Sequence, residues 1–84
     1  MENQVKLKFF AAFREVTGQR ELNWAWQQGQ TANSVLAELL AKYPSLEGIA
    51  RVSLVMVNRA YQDRDLALQP GDEVVFVPPV GGGK

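Results

Sequence analysis

The chain has 84 residues, nine lysines and arginines balanced by nine aspartates and glutamates, and neither cysteine nor histidine. One domain of this size buries only about 60–65% of the surface its unfolded form exposes, which leaves little room for a deep active site beside a core. Balanced charge gives no net field toward nucleic acid or anionic membrane, and the sequence has no clustered cations for either; the missing residue types exclude a disulfide, a zinc knuckle, a thiol nucleophile and the commonest general base.

The start, Met1 to Lys6, has neither the basic nor the apolar segment of a signal peptide. The longest apolar runs, Phe9 to Phe13 and Leu54 to Val57, are far too short to span a bilayer. These features predict a soluble protein of the cytoplasm, with no membrane or nucleic-acid partner and no bound metal.

In chain order, Val5, Leu7 and Phe9 alternate with Lys6, Lys8 and Phe10, the period-two signature of a half-buried strand. Phe13 to Thr17 predicts a short helical turn stopped by Gly18. Leu22, Trp24 and Trp26 alternate with polar or small residues, so a second strand follows and pairs antiparallel with the first. Thr31 or Asn33 is the expected N-cap of a helix whose stripe is Val35, Leu36, Leu39, Leu40 and Tyr43, ended by Pro44. Arg51 to Asn58 reads as a buried strand, and a short edge strand is expected near Tyr61. Gln69-Pro70-Gly71-Asp72 has proline second and glycine third, as a type II turn requires. Glu73 to Val77 is the last strand, ended by Pro78-Pro79. One main helix on a mixed sheet of four to five strands buries both apolar faces, an α+β architecture compatible with a β-grasp, although the pattern leaves strand order open.

Residues 1–80 are thus the expected domain and 81–84 a flexible glycine tail. Glycines at a chain end can be a frayed terminus. They can also thread a narrow channel and leave a carbonyl carbon open to attack. Five residues beyond Pro79 reach about 15 Å when extended, enough to enter a partner's active site, and Pro78-Pro79 stiffens the base.

These residues carry a resemblance. Phe9-Phe10-Ala11 followed by Arg14-Glu15 and Gly18, then Val57-Asn58, then Gly71-Asp72-Glu73-Val74 with Pro78-Pro79-Val80 and a glycine pair, make the chain resemble the MoaD family of ubiquitin-like sulfur carriers, the small subunits of molybdopterin synthase. Thiamin-pathway sulfur carriers share the glycine tail but are not expected to have Pro-Pro-Val before it. The resemblance implies a β-grasp fold and a three-stage cycle. An ATP-dependent activating enzyme adenylates the terminal glycine, a sulfurtransferase converts it to a thiocarboxylate, and the large synthase subunit uses the sulfur to build the dithiolene of molybdopterin. A heterotetramer with that large subunit is likewise implied, and the carrier itself binds no cofactor and supplies no catalytic side chain. One departure stands out: Lys84 follows the last glycine. It is removed by a protease, or is foreign to the native end, or marks an inactive relative. In the first two cases the reactive carboxylate is that of Gly83, with Gly82 the other member of the pair.

A carrier must dock. Phe10 shares a face with Lys6 and Lys8, while Val75 and Val77 run out of phase with Val74 and Phe76. If the first and last strands are neighbours, Phe10, Val75 and Val77 form an apolar outer patch beside the tail. The resemblance adds Tyr61 to this surface and, along the tail, Pro78, Pro79, Val80 and Gly81. Asp63-Arg64-Asp65 is read as a solvated turn, Asp72 as turn chemistry, and at least one of Trp24 and Trp26 as core. Gly83-Lys84 is not a phosphate-binding loop, since no serine, threonine or helix follows. Two rival functions use the same body: a protein modifier conjugated through the tail, and a ubiquitin-like interaction module whose tail does no chemistry.

Overall fold

The computed structural model describes residues 3–78. Strand β1 is Gln4–Lys8, helix α1 Ala11–Thr17, strand β2 Glu21–Ala25 and helix α2 Ala32–Lys42. A 3-10 turn at Pro44–Leu46 and helix α3, Glu47–Arg51, lead to strands β3, Leu54–Val57, β4, Ala60–Gln62, and β5, Glu73–Val77. The five strands form one sheet in the order β2-β1-β5-β3-β4. β1 and β5 run parallel at the centre, with Lys6, Leu7 and Lys8 opposite Glu73, Val74 and Val75. Every other pairing is antiparallel.

Alternation decides the faces. Val5, Leu7, Phe9, Val55, Val57, Val74 and Phe76 are buried on one side, against Val35, Leu36 and Leu39 of α2 and Phe13 of α1. Phe13 and Phe76 stack with ring centroids 5.7 Å apart. Leu46, Ala50 and Leu68 close the ends of this core. A central parallel strand pair with a hairpin on each side and one long helix across a single face is the ubiquitin-like β-grasp fold.

Local chemistry explains the boundaries. Of the two N-cap candidates for α2, Thr31 is the cap: its hydroxyl accepts from the Ser34 N–H at 3.1 Å, and the Ser34 hydroxyl accepts from the Thr31 N–H at 2.9 Å. Pro44 follows the C-cap Tyr43, as expected. Gly71 sits at φ +90° and the Asp72 N–H donates to the Gln69 carbonyl at 3.1 Å, so this turn has the predicted type II form.

Two expectations need correction. α1 begins at Ala11, not Phe13: Phe10 stays extended, and Ala11 turns the chain at φ +51°. That left-handed geometry costs a non-glycine residue about 1–2 kcal/mol. It lets Phe9 and Phe13 enter the core while Phe10 is 51% exposed on the other side. Second, Arg51 ends α3 and the strand starts only at Leu54, which is 58% exposed instead of buried. The main helix on its mixed sheet is as expected; besides the anticipated α1 it is accompanied by α3 and a 3-10 turn, pieces too short to show a period of their own.

On the outer face Lys8 Nζ lies 2.8 Å from Glu73 Oε2 across the β1–β5 seam, with Arg59 4.0 Å from the other carboxylate oxygen. The Lys8 hydrogen bond, aided by its charge and those of Arg59 and Lys6, outweighs desolvation and holds the Glu73 carboxyl below its usual pKa of 4.5. A depressed folded-state pKa contributes stability that is present above the unfolded value and lost as pH falls through the folded one. Chemical denaturation from pH 7 to below pH 4 should therefore show the gap between the wild type and Glu73→Gln closing as acid is added. A gap that widens in acid contradicts the pairing. The neighbouring phenylalanines give a sharper contrast. Phe9→Ala should cost about 3–5 kcal/mol as a core truncation, while Phe10→Ala should stay within about 0.5 kcal/mol, both read from urea midpoints.

Candidate functional site

Strand register lays out the outer face row by row. Lys8, Val75, Met56 and Tyr61 stand side by side across β1, β5, β3 and β4. The next row toward the end of β5 has Val77 opposite Leu54. Two residues beyond Lys8, as Val77 is two beyond Val75, the parallel register brings Phe10 to the level of Val77. Phe10, Leu54 and Tyr61 are more than half exposed, at 51%, 58% and 62%. Val75, Val77, Met56 and Pro78 are half-buried. Together they form an apolar patch on a face that solvent would otherwise make polar.

The face is polarised along β5. Its beginning carries the Lys8–Glu73 pair, with Arg59 alongside, and Lys6 4.0 Å from Glu21. Its end, Val77–Pro78, is apolar and is where the chain leaves the sheet. The anticipated residues Phe10, Tyr61, Val75, Val77 and Pro78 are thus brought together, through strands far apart in sequence. Pro79, Val80, Gly81, Gly82, Gly83 and Lys84 lie outside the described residues.

Leu54 and Met56 belong to the same patch and were not singled out from the sequence. Leu54-Val55-Met56-Val57 is apolar throughout, so no alternation separates in from out. The phase follows only from pairing, with Val55 opposite Phe76 and Val57 opposite Val74 on the buried side.

Elsewhere the side chains of Asp63, Arg64, Asp65 and Asp72 are occupied with holding the fold. The Asp63 carboxylate accepts from the Asp65 N–H at 2.8 Å, and Asp65 accepts from Asn33 Nδ2 at 2.7 Å. Arg64 donates to the Asn33 amide oxygen at 2.9 Å and to the Ala50 carbonyl at 3.3 Å, tying this loop to α2 and α3. Asp72 accepts from the Gln69 N–H at 2.8 Å and from Asn58 Nδ2 at 2.9 Å. Asn58 and Arg59, at φ +54° and +71°, make the two-residue β3–β4 turn, a left-handed pair of the type I′ kind. Both tryptophans pack against the core half-buried; Trp26 Nε1 donates to the Leu68 carbonyl at 2.7 Å. Among the described residues no group of three or more acidic, histidine or cysteine side chains is placed to hold a metal ion, and none of the helices is long and apolar enough to cross a membrane. This geometry presents an exposed apolar surface beside the end of β5.

A model of the ThiS family matches residues 7–83. The molybdopterin synthase sulfur carrier subunit of Chlamydomonas reinhardtii is 35% identical, over 95% of this chain and 99% of its own length. Small archaeal modifier protein 3 of Haloferax volcanii is also 35% identical, again over 95% of this chain and 99% of its own. The crystal structure of small archaeal modifier protein 1 from Haloferax volcanii superposes with a TM-score of 0.80 at 26% identity, covering 92% of this chain and 98% of that one. Matched from β1 to its third terminal glycine, and sharing both length and fold with these proteins, the chain belongs to the ThiS family.

Proposed function

We propose that this chain carries sulfur on the carboxylate of Gly83 for molybdenum cofactor biosynthesis. The observation that carries the reading is its full-length similarity to a molybdopterin synthase sulfur carrier subunit. The family match ends at Gly83, one residue before Lys84, which supports a processed end at that glycine. In this reading a carboxylate is a poor electrophile, and ATP in the activating partner converts it to an acyl-adenylate. Sulfur delivered by the sulfurtransferase at the oxidation level of sulfide then attacks the acyl carbon, the bond from that carbon to the AMP oxygen breaks, and AMP leaves a thiocarboxylate behind. Glycine suits each step because no Cβ blocks the approach to its carbonyl carbon.

The outer patch supplies the binding energy. Phe10, Leu54, Val77 and Tyr61 seat on the large synthase subunit, in a complex taken to be a heterotetramer, and Pro78 directs the tail into that subunit's active site. Binding through a rigid face while presenting a stiffened tail lowers the ordering entropy of docking. A soluble cytoplasmic location suits partners of this kind. A second reading has a specific observation behind it, the 35% identity to a small archaeal modifier protein. The same acyl-adenylate can meet a lysine amine and form an isopeptide bond, so the tail chemistry serves both.

Incubation with ATP, the activating enzyme and a sulfurtransferase tests the proposal. A chain ending at Gly83 should gain sulfur in place of oxygen, and one retaining Lys84 should not. Equal sulfur transfer to both would contradict the assignment to Gly83, and lysine conjugates without a thiocarboxylate would favour the modifier. Leu54→Asp and Val77→Asp should each weaken binding to the large subunit by about 10- to 100-fold in calorimetry, as central interface residues do. Unchanged affinity would remove the outer patch from the interface.

A further inference from the structure

The sheet has two edges, β2 and β4. β4 is only three residues long, but β2 has five, Glu21–Ala25, with no proline or lysine to blunt it. The ladder phase settles where its backbone points. The Phe9 N–H donates to the Arg20 carbonyl at 2.8 Å and the Trp26 N–H to the Asn3 carbonyl at 2.9 Å. Because antiparallel pairs alternate, Leu22 and Trp24 turn their main-chain groups to β1, and Glu21, Asn23 and Ala25 turn theirs outward.

An open cleft of about 350 Å³ follows this edge, lined by Leu22, Trp24, Gln30 and, from α2, Glu38 and Lys42. Gln30 is only 7% exposed. Its Nε2 donates to the Ala25 carbonyl at 3.2 Å, which fixes the orientation of the amide. Its Oε1 is buried without a hydrogen-bond partner. An edge whose outward groups lack backbone partners, with only the Ala25 carbonyl taken by Gln30, therefore coincides with the flanks of Leu22 and Trp24 and with an orphan acceptor.

We infer that the β2 edge pairs with a second copy of this chain, antiparallel, about a two-fold axis at Asn23. The strand is self-complementary in that register. Asn23 faces Asn23 of the second copy, and Glu21 faces Ala25 of the second copy, so no like charges meet on the outer face. On the inner face Leu22 meets Trp24 of the second copy, an aliphatic–aromatic pair of the kind that stabilises adjacent strands. The α2 walls bring one anion and one cation, Glu38 and Lys42, instead of a single-sign field. The same register sets Arg20 of the second copy opposite Trp26, close to Gln30. Arg20 is exposed and makes no ion pair among the described residues. Its guanidinium offers a cation for the indole face of Trp26. The outer patch and the end of β5 stay free, so pairing is compatible with docking there.

Sedimentation of the full chain from micromolar to about 1 mM should show the mass rising from 9.3 kDa to twice that value. Asn23→Pro removes the central outward N–H and leaves the β1 ladder intact, so it should stay at 9.3 kDa while keeping a cooperative melt. In the wild type, the amides of Glu21, Asn23 and Ala25 should exchange at least about tenfold more slowly at high concentration. That measurement decides the matter even if Asn23→Pro does not fold. A wild type that stays monomeric to 1 mM overturns the proposal, even if an unrelated extended peptide protects those amides. So does a dimer that leaves their exchange unchanged.

Discussion

The parallel pairing of the first and last strands is the constraint on which the rest of the structure depends. β1 and β5 lie at the centre of the sheet, and each has an antiparallel neighbour on its far side, β2 and β3. Their inward residues Val5, Leu7, Val74 and Phe76 are all at or below 1% exposure, so the pairing and the core are one arrangement. Because the strands run the same way, the end of β5 is also the end of β1. The chain therefore leaves the sheet at the level where Phe10 stands exposed. An antiparallel seam would send it out at the opposite end of β1, beside Gln4 and away from Phe10.

This geometry separates two tasks within a small chain. The inner face and α2 provide stability, and the outer face keeps an apolar strip beside the exit. The ion pairs that would make such a strip unattractive to a partner cluster at the start of β5 instead. Asp63, Asp65 and Asp72, the carboxylates most suggestive of chemistry, accept hydrogen bonds that hold turns together. On the proposed function the reaction needs only a glycine carboxylate and a face that delivers it, while partners provide nucleotide, sulfur and pocket. Edge pairing through β2 would use the side of the molecule that this division leaves unoccupied.

Much of this was legible in the sequence because strong periodicity and turn chemistry agree. The alternation in β1 and β2, the 3.6-residue stripe of α2 and the Pro70-Gly71 turn each point to one local structure. The phase of Val74 and Phe76 against Val75 and Val77 was enough to place the last two on the outer face. What escaped reading has physical causes. Leu54 to Val57 is uniformly apolar, so only cross-strand register reveals that Leu54 and Met56 look outward. α3 spans five residues, less than two turns, and its apolar positions blend into the strand that follows. The turn at Ala11 depends on a left-handed alanine, which no propensity favours. The unpartnered Gln30 carbonyl has no sequence signature, since it depends on the loop folding back toward Ala25.

The most direct test of the central claim is the intact mass of the protein purified untagged from its own host. The protein should lack Lys84 and be heavier by one oxygen-to-sulfur exchange, with fragmentation placing the sulfur on Gly83. A chain that keeps Lys84 and carries no sulfur, under conditions where the host makes molybdenum cofactor, would contradict it.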